Sequence, residues 1–320
     1  MTPPQKTLQL CRGYSGLKTN NRKSVVTIGN FDGLHLGHQA LLEMTAERAR
    51  QNGWRSVVLS FEPLPSEFFA GNKAPARLSN LRQKICLLEK VGIDAFHVMR
   101  FNKQLASMSA DDFVRRVLVD GLHAKEVYVG SDFRYGAARA GDFSLLQAAG
   151  LRYGFTAVAM DDFCHKTHRV SSTRVREALS VGEFKTVRSL LGRPFTMDGK
   201  VRHGQKLGRK LGFPTINVLP QRHKVPVQGI FAVQVHGIVA DKPWPGVASL
   251  GSRPSISGNN DEILEVHLFD FNGDLYGRHV EVEFVEKIRN EIKFDHLDDL
   301  IVQIERDVQL AKVILESETT

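Results

Sequence analysis

The sequence predicts an α/β protein of two parts, a parallel sheet with helices on both faces followed by an antiparallel β domain that ends in a helix. Two features of its texture predict this. Up to about residue 190, short apolar runs alternate with stretches of helical period, the βα repetition that builds a parallel sheet. Beyond it, Gly and Pro become dense (GRPF, LGFP, VLP, VPVQG, KPWPG, SRPS) and the apolar runs alternate residue by residue, as in an antiparallel barrel or sandwich.

The run Val25-Val26-Thr27-Ile28 is short, β-branched and stopped by Gly29-Asn30, the pattern of a buried strand. Strands are expected at 24–29, 55–61, 94–100, 125–130 and 154–159, and helices at 36–52, 78–91, 109–120, 142–152 and 172–180. In the second part GIFAVQVHGIVA, GVASLGS, EILEVHLFDF and HVEVEFVEKI read as closely spaced strands. The last helix carries Leu297, Leu300, Ile301, Ile304, Val308, Ala311 and Val313 as one apolar stripe. The boundary is placed within GEFKTVRSLLGRPF, giving domains 1–187 and 188–320.

A chain of 320 residues suits two domains. The N-terminus has no sustained apolar segment of the signal-peptide kind and no run approaches a membrane span, so a cytoplasmic protein without a membrane partner is expected. Cys11, Cys86 and Cys164 are scattered without CxxC or metal spacing, which suits a reducing compartment rather than a disulfide framework or zinc site. The net charge of +8 favours anionic partners. Between Gly192 and Lys224 eight Lys or Arg face a single acid, Asp198. On charge alone, a solvated loop and a binding site fit that segment equally well.

In VVTIGNFDGLHLGHQALL, His35 and His38 fall at a strand-to-helix junction, three apart and so on one helical face. In α/β folds that junction lies at the carboxyl end of a strand, where ligands bind. The unpaired N–H groups and positive end of the helix favour a phosphate. Gly37 removes a side chain that would block close approach, and two imidazoles add donors for charge developing on a nucleotide α-phosphate. An HxxH pair alone is more often incidental, and no third ligand stands nearby to make it a metal site.

IGNFDGLHLGHQ resembles the HxGH signature of the nucleotidylyltransferase superfamily, in the form found in prokaryotic bifunctional riboflavin kinase/FAD synthetases. FEPLP, APARL, VGSDFRYG, GDFSLL and VSSTRVREAL are similar to that family's further adenylyltransferase motifs, in the same order. The resemblance implies a Rossmann-like N-terminal domain in which His35 and His38 are catalytic and Gly29, Asn30, Phe31, Gly37, Ser172, Thr173 and Arg176 bind ATP. Unaided, SSTRVREAL reads as a capped helix start whose Arg174 or Arg176 can face a phosphate. Leu64 stands where some relatives carry a polar residue, which argues against a catalytic role for that position. The implied reaction is attack of the FMN phosphate on the α-phosphorus of ATP, which needs in-line positioning and charge stabilisation but no covalent nucleophile.

The basic segment GKVRHGQKLGRKLGFPTINV is neither a Walker A loop nor GxGxxG. Gly199, Gly204, Gly208 and Gly212 among basic residues suggest a flap that meets phosphate by its backbone, although a surface hairpin fits the pattern as well. Thr215 and Asn217 share one side of an extended strand, where a hydroxyl and an amide oxygen suit magnesium. Downstream, Leu264, Val266 and Leu268 face one way and Glu265, His267 and Phe269 the other. GFPTIN resembles the GFPTAN motif of flavokinases, and LEVHLFDF resembles their catalytic-glutamate strand. That match implies a β-barrel with a terminal helix, in which Gly204, Lys206, Gly208, Gly212, Thr215 and Asn217 bind ATP and Thr215 and Asn217 hold Mg2+. It makes Glu265 the general base for riboflavin's terminal hydroxyl. Ile216 and the RPSI segment depart from the family pattern.

The expected function is therefore phosphorylation of riboflavin to FMN and adenylylation of FMN to FAD. Riboflavin, FMN and ATP are the expected partners, with FMN and FAD as products or bound flavins, no nucleic acid, and oligomerisation left open. The alternatives are a nucleotidylyltransferase for another phosphorylated substrate and a basic nucleic-acid-binding protein. Against the latter, KMSKS-like and RNP-like clusters are absent from the sequence. Phe133 and Tyr135 can in principle stack on a flavin, but a core role is expected for them.

Overall fold

Val25, Val26 and Ile28 are all buried, as a run with no polar alternation requires, and they sit in the interior of a parallel sheet. The computed structural model describes residues 7–17, 21–165, 168–204, 207–220, 222, 224–240, 242–254 and 260–317. The chain divides into two compact units, Met1–Pro75 with Leu81–Ser171, and Ala76–Asn80 with Ser172–Thr320. The sequence boundary at 187/188 falls beyond the helix Ser172–Val181 and within the helix Phe184–Leu191, both of which count with the second unit.

The first unit has six parallel strands, β1 (Gln9–Arg12), β2 (Ser24–Ile28), β3 (Arg55–Glu62), β4 (Ala95–Arg100), β5 (Ala124–Gly130) and β6 (Thr156–Met160). Their spatial order is β1-β4-β3-β2-β5-β6. Its longer helices are α1 (Leu36–Asn52), α2 (Leu81–Val91) and α3 (Phe143–Tyr153). Alternate strand residues feed two cores. Val25, Val58, Phe96 and Tyr128 pack with Leu41, Leu42 and Leu88 of α1 and α2. Val26, Val57, Leu59, Val127 and Val129 pack with Val117, Leu118 and Leu146 on the other face. From β2 the chain moves outward through β3 and β4, then returns to place β5 on the opposite side of β2. The connections thus diverge between β2 and β5, and a crevice forms outside the carboxyl ends of such strands.

Two elements differ from the sequence expectation. β1 pairs only at the sheet edge and turns Cys11 alone inward, so four residues carry almost no apolar signal. The helix expected over 109–120 is a short α-helix, Ala110–Phe113, that widens into a π-helical turn, Val114–Val119. The wider turn buries Val114, Val117 and Leu118 together. A two-residue ribbon, β7 (Cys164–His165) with β8 (His168–Arg169), completes the unit's strands among the described residues.

His97 is buried in β4, and its Nδ1 has no hydrogen-bond partner among the described residues. Burial, helped by the charge of Arg55, pushes its pKa down to about 4. The unfolded chain accepts a proton near pH 6.5 that the folded chain refuses until about pH 4. This contribution to stability is therefore full above about pH 6.5 and is lost as pH falls toward 4. His97→Leu is expected to flatten that part of the acid-unfolding curve, read as the urea midpoint against pH for variant and parent.

In the second unit β9 (Phe195–Arg202), β10 (Thr215–Val218), β11 (Gly229–Val239), β12 (Lys242–Pro254), β13 (Asn260–Leu268) and β14 (His279–Arg289) close an antiparallel barrel. Around the barrel the order is β10-β13-β12-β11-β14-β9, with β9 pairing back to β10. Helices α4 (Ser172–Val181) and α5 (Phe184–Leu191) precede it. Phe184 of α5 meets Phe231 edge-on and stacks along Phe284, with ring centroids 5.8 and 5.9 Å away, so α5 caps the barrel core. A cut at 187/188 would remove Phe184 and Val187, both buried.

The terminal helix α6 (Leu297–Ser317) covers the outside of the barrel: Val308, Ala311 and Leu315 pack on Val247 and Phe269. The stripe is Ile304, Val308, Ala311 and Leu315, spaced four, three and four. Val313 is instead 63% exposed, and Leu297 is also exposed. Phe269 is correspondingly buried under this helix rather than on a solvated face. Arg289 fixes the helix to β14 through three hydrogen bonds of 2.6–3.0 Å to buried Asp307. Among the described residues, no helix is long and apolar enough to cross a membrane.

Candidate active sites

The turn after β2, Gly29 to His35, is held in an uncommon backbone. Phe31 and Leu34 have φ of +46° and +42°, the left-handed region, and both are buried. Such residues cost about 1–3 kcal/mol each and persist where surrounding contacts force them, often at functional sites. Here Gln39 Nε2 donates to the Leu34 carbonyl at 2.7 Å, and the buried Lys84 ammonium donates to the Asn30 carbonyl at 2.7 Å. Gly29 carries no Cβ, which would stand 3.2 Å from the Phe31 ring.

That turn delivers His35 as the N-cap of α1. Its Nδ1 accepts the backbone N–H of His38 at 3.2 Å, so the neutral ring carries its proton on Nε2, as a donor. The His35 and His38 rings stack at 3.7 Å with 14° between their planes, and Phe31 meets His38 edge-on at 5.2 Å. A Cβ on Gly37 would lie 3.1 Å from Phe163 Cβ and 3.3 Å from His35 Nδ1, so the glycine permits the close packing of the pair. His38 is half-buried as a residue, but its Nδ1 is closed off and has no partner among the described residues. Burial, then the neighbouring His35 and the charge of Lys84, hold the His38 pKa well below the ordinary imidazole value. The pair is therefore a neutral donor array at a helix N-terminus, placed where β2 and β5 diverge.

An aromatic cluster stands at the carboxyl ends of β3 and β4, the same edge of the sheet. Phe68 and Phe69, on the short helix Pro65–Ala70, meet Phe101 edge-on at 5.4 and 5.7 Å, and Phe101 meets Phe61 at 5.9 Å. Phe69 is 70% exposed, an unusual position for a phenyl ring that has apolar neighbours to bury it. The sequence reading missed this cluster. Tyr135 is buried and stacks on Phe133 in the sheet's second core, the role expected for both. Leu64 is buried.

Ser172, Thr173 and Arg176 lie at the start of α4 and belong to the second unit. Thr173 is exposed, while Arg176 Nε donates to the Ala76 carbonyl at 2.6 Å. The last three residues of APARL, with Ser79 and Asn80, count with the same unit. Asn80 Nδ2 donates to Asp198 at 2.7 Å, and His279 Nε2 lies 3.2 Å from the other Asp198 oxygen. The single acid of the basic segment is thus buried and paired.

On the barrel, β10 pairs antiparallel with β13 so that Asn217 faces Glu265 and Thr215 faces His267. Residues directly opposite share a face, so the hydroxyl, amide, carboxylate and imidazole form one polar group. Ser249 of β12 is the other cross-strand neighbour of Glu265. The His267 ring donates from Nδ1 to the Pro214 carbonyl at 2.9 Å, leaving its Nε2 as acceptor. The glycine-rich segment lies on this face. A Cβ on Gly204 would stand 2.4 Å from Asn217 Nδ2, and one on Gly208 would stand 3.4 Å from Thr215 Oγ1. Gly212 has φ of +89°, a conformation that L side chains rarely adopt. Lys206 lies outside the described residues, as do Ser255 and Ile256 of RPSI. No group of three or more His, Cys, Asp or Glu among the described residues is arranged to hold a metal ion.

Residues 17–174 match the family model for FAD synthetase, and residues 191–315 match the model for riboflavin kinase. A Haemophilus influenzae relative, described as a bifunctional riboflavin kinase/FMN adenylyltransferase, is 45% identical across 97% of this chain and 100% of its own length. The chain belongs to that bifunctional family. An Escherichia coli protein of the same description is 46% identical, covering 95% of this chain and 97% of that one. A crystal structure described as a macrolide-efflux protein from Streptococcus pneumoniae superposes with a TM-score of 0.79 at 27% identity, over 96% of this chain and 99% of that one. The His35/His38 pair falls in the first matched segment and the Thr215/Asn217/Glu265 face in the second. Ser172 and Thr173 fall inside the first match and Arg176 just beyond it.

Proposed function

We infer that the barrel unit phosphorylates riboflavin to FMN and that the sheet unit joins FMN to the AMP moiety of ATP, giving FAD and pyrophosphate. One observation carries this reading: two separate polar constellations, each suited to phosphate chemistry, lie in segments that match two different enzyme families.

For phosphorylation, Glu265 accepts the proton of riboflavin's terminal ribityl hydroxyl as that oxygen attacks the γ-phosphorus. The new O–P bond forms while the β–γ bridge breaks, and ADP leaves. Without a Cβ, the backbone of Gly204 passes close to Asn217 and that of Gly208 close to Thr215, so backbone N–H groups of the glycine-rich segment can meet the phosphates beside these side chains. The Thr215 hydroxyl and the Asn217 amide oxygen are hard donors that fit Mg2+ in company with ATP oxygens. When bound, the cation neutralises charge on the phosphates.

For adenylylation, an FMN phosphate oxygen attacks the α-phosphorus, the α–β bridge breaks and pyrophosphate departs. The Nε2–H of His35, the neutral His38 and the first N–H groups of α1 meet the charge that develops there. Gly29, Asn30 and Phe31 shape the turn, while Ser172, Thr173 and Arg176 are assigned to ATP. Phe69 offers its exposed face to the isoalloxazine ring. Phe69→Ala is accordingly expected to raise the KM for FMN about tenfold, the loss of one good aromatic contact, with riboflavin phosphorylation unchanged. Steady-state kinetics with each flavin checks this.

Two exposed thiols, Cys86 and Cys164, suit the reducing cytoplasm in which these substrates occur. The test of the whole reading is incubation with ATP, Mg2+ and riboflavin followed by chromatography of the flavins. FMN should appear first and FAD after it. Absence of both products from folded protein overturns the reading.

A further inference from the structure

Lys84 lies on α2, in a stretch, LRQKICLLEK, whose charges would ordinarily face solvent. It is instead 1% exposed and projects inward with Leu88, one turn along. Lysine is almost never fully buried unless paired, since its ammonium loses hydration and its long stem loses rotamer freedom. A buried lysine beside a strained turn therefore needs an explanation beyond packing.

Its Nζ donates to the Asn30 carbonyl at 2.7 Å, and Ser60 Oγ approaches the same oxygen at 3.4 Å. Holding that carbonyl fixes the plane of the Asn30–Phe31 peptide, and the orientation of that plane sets φ of Phe31. Phe31 is one of the two buried non-glycine residues of the turn with left-handed φ, and its ring edge packs on His38. A continuous line of contact runs from the ammonium to the imidazole: Lys84, the Asn30 carbonyl, Phe31, His38.

We propose that Lys84 is a positioning residue for adenylyl transfer, pinning the Asn30 carbonyl so that Phe31 and His38 are held ready before ATP and FMN arrive. The proposal rests on the adenylyltransferase reading of this unit. The electrostatics agree, because burial first, then the neighbouring His35 and the charge of Lys84, hold His38 below the ordinary imidazole range. In this arrangement the lysine orients the turn and favours the uncharged form of His38, without itself touching a substrate.

The test uses the full chain. Lys84→Met keeps the stem and volume and removes the ammonium, so a purely structural residue would tolerate it in an apolar pocket. We expect kcat for FMN adenylylation to fall about tenfold to a hundredfold, the scale of a small misplacement at a reacting centre, with less change in the KM for ATP. Riboflavin phosphorylation by the same preparation should stay at the parental rate, and thermal unfolding of variant and parent serves as the folding control. The His38 imidazole, followed by NMR, should titrate at higher pH than in the parent. Lys84→Gln, which keeps a donor without the charge, should recover part of kcat while His38 still titrates higher. Unchanged adenylylation in Lys84→Met overturns the proposal. So does a loss that tracks thermal stability while His38 titration stays put, or failure of both variants to fold. A parent protein that does not adenylylate FMN overturns instead the reading on which the proposal rests.

Discussion

His38→Ala is expected to reduce FMN adenylylation by about a hundredfold or more while riboflavin phosphorylation proceeds at the parental rate. The size of the effect follows from preorganisation. His38 is stacked on His35 at 3.7 Å and edged by Phe31, and its backbone N–H is already committed to His35 Nδ1. It therefore needs no reorganisation as charge builds on the α-phosphate, and a donor of that kind removed from a site typically costs two to three powers of ten. Alanine also removes the ring on which His35 stacks, so the second donor loses its orientation. The measurement is product formation from FMN and from riboflavin with the same folded variant. Equal loss of both activities would detach His38 from adenylyl transfer.

The reverse pattern is expected for Glu265→Gln. The side chain keeps its shape beside Asn217 and Ser249, and its amide can still hydrogen-bond, but it cannot take the proton from the attacking hydroxyl. General-base removal is typically worth about a hundredfold to ten-thousandfold. Riboflavin phosphorylation should fall by that order while supplied FMN is still converted to FAD. A variant that phosphorylates riboflavin at the parental rate would make Glu265 an ordinary strand residue.

The parts of this protein legible in its sequence are those with a local cause. Val25–Ile28 is apolar on both sides, so strand β2 is unambiguous, and the periodicity after His35 outlines α1 over the residues that form it. β1 is not legible, because an edge strand of four residues with one inward side chain has no pattern to detect. In α6 the period is plain but its phase is not. Only packing against Phe269 and Val247 selects Leu315 and leaves Val313 in solvent.

The sites divide in the same way. The HxGH spacing puts two imidazoles on one helical turn, but the close packing of Phe163 and His35 against Gly37, where a Cβ would crowd both, is a tertiary effect. The inward turn of Lys84 and the left-handed Phe31 are tertiary effects that no local window contains. Phe69 reads in the sequence like any core phenylalanine, and only its exposure marks it. Alternation places Thr215 and Asn217 on one face and Glu265 on another strand. Register alone sets Asn217 opposite Glu265.

The central claim is that one chain carries two independent phosphate-transfer sites that act in sequence. Mixing purified His38→Ala with Glu265→Gln, in ATP, Mg2+ and riboflavin, tests it most directly. Each variant alone should stop short, the first accumulating FMN and the second leaving riboflavin largely unconverted. Together they should carry riboflavin through to FAD, because FMN made by one chain is a substrate for the other. If each variant has lost both reactions, so that the mixture yields neither FMN nor FAD, the two constellations are one site and the account is wrong.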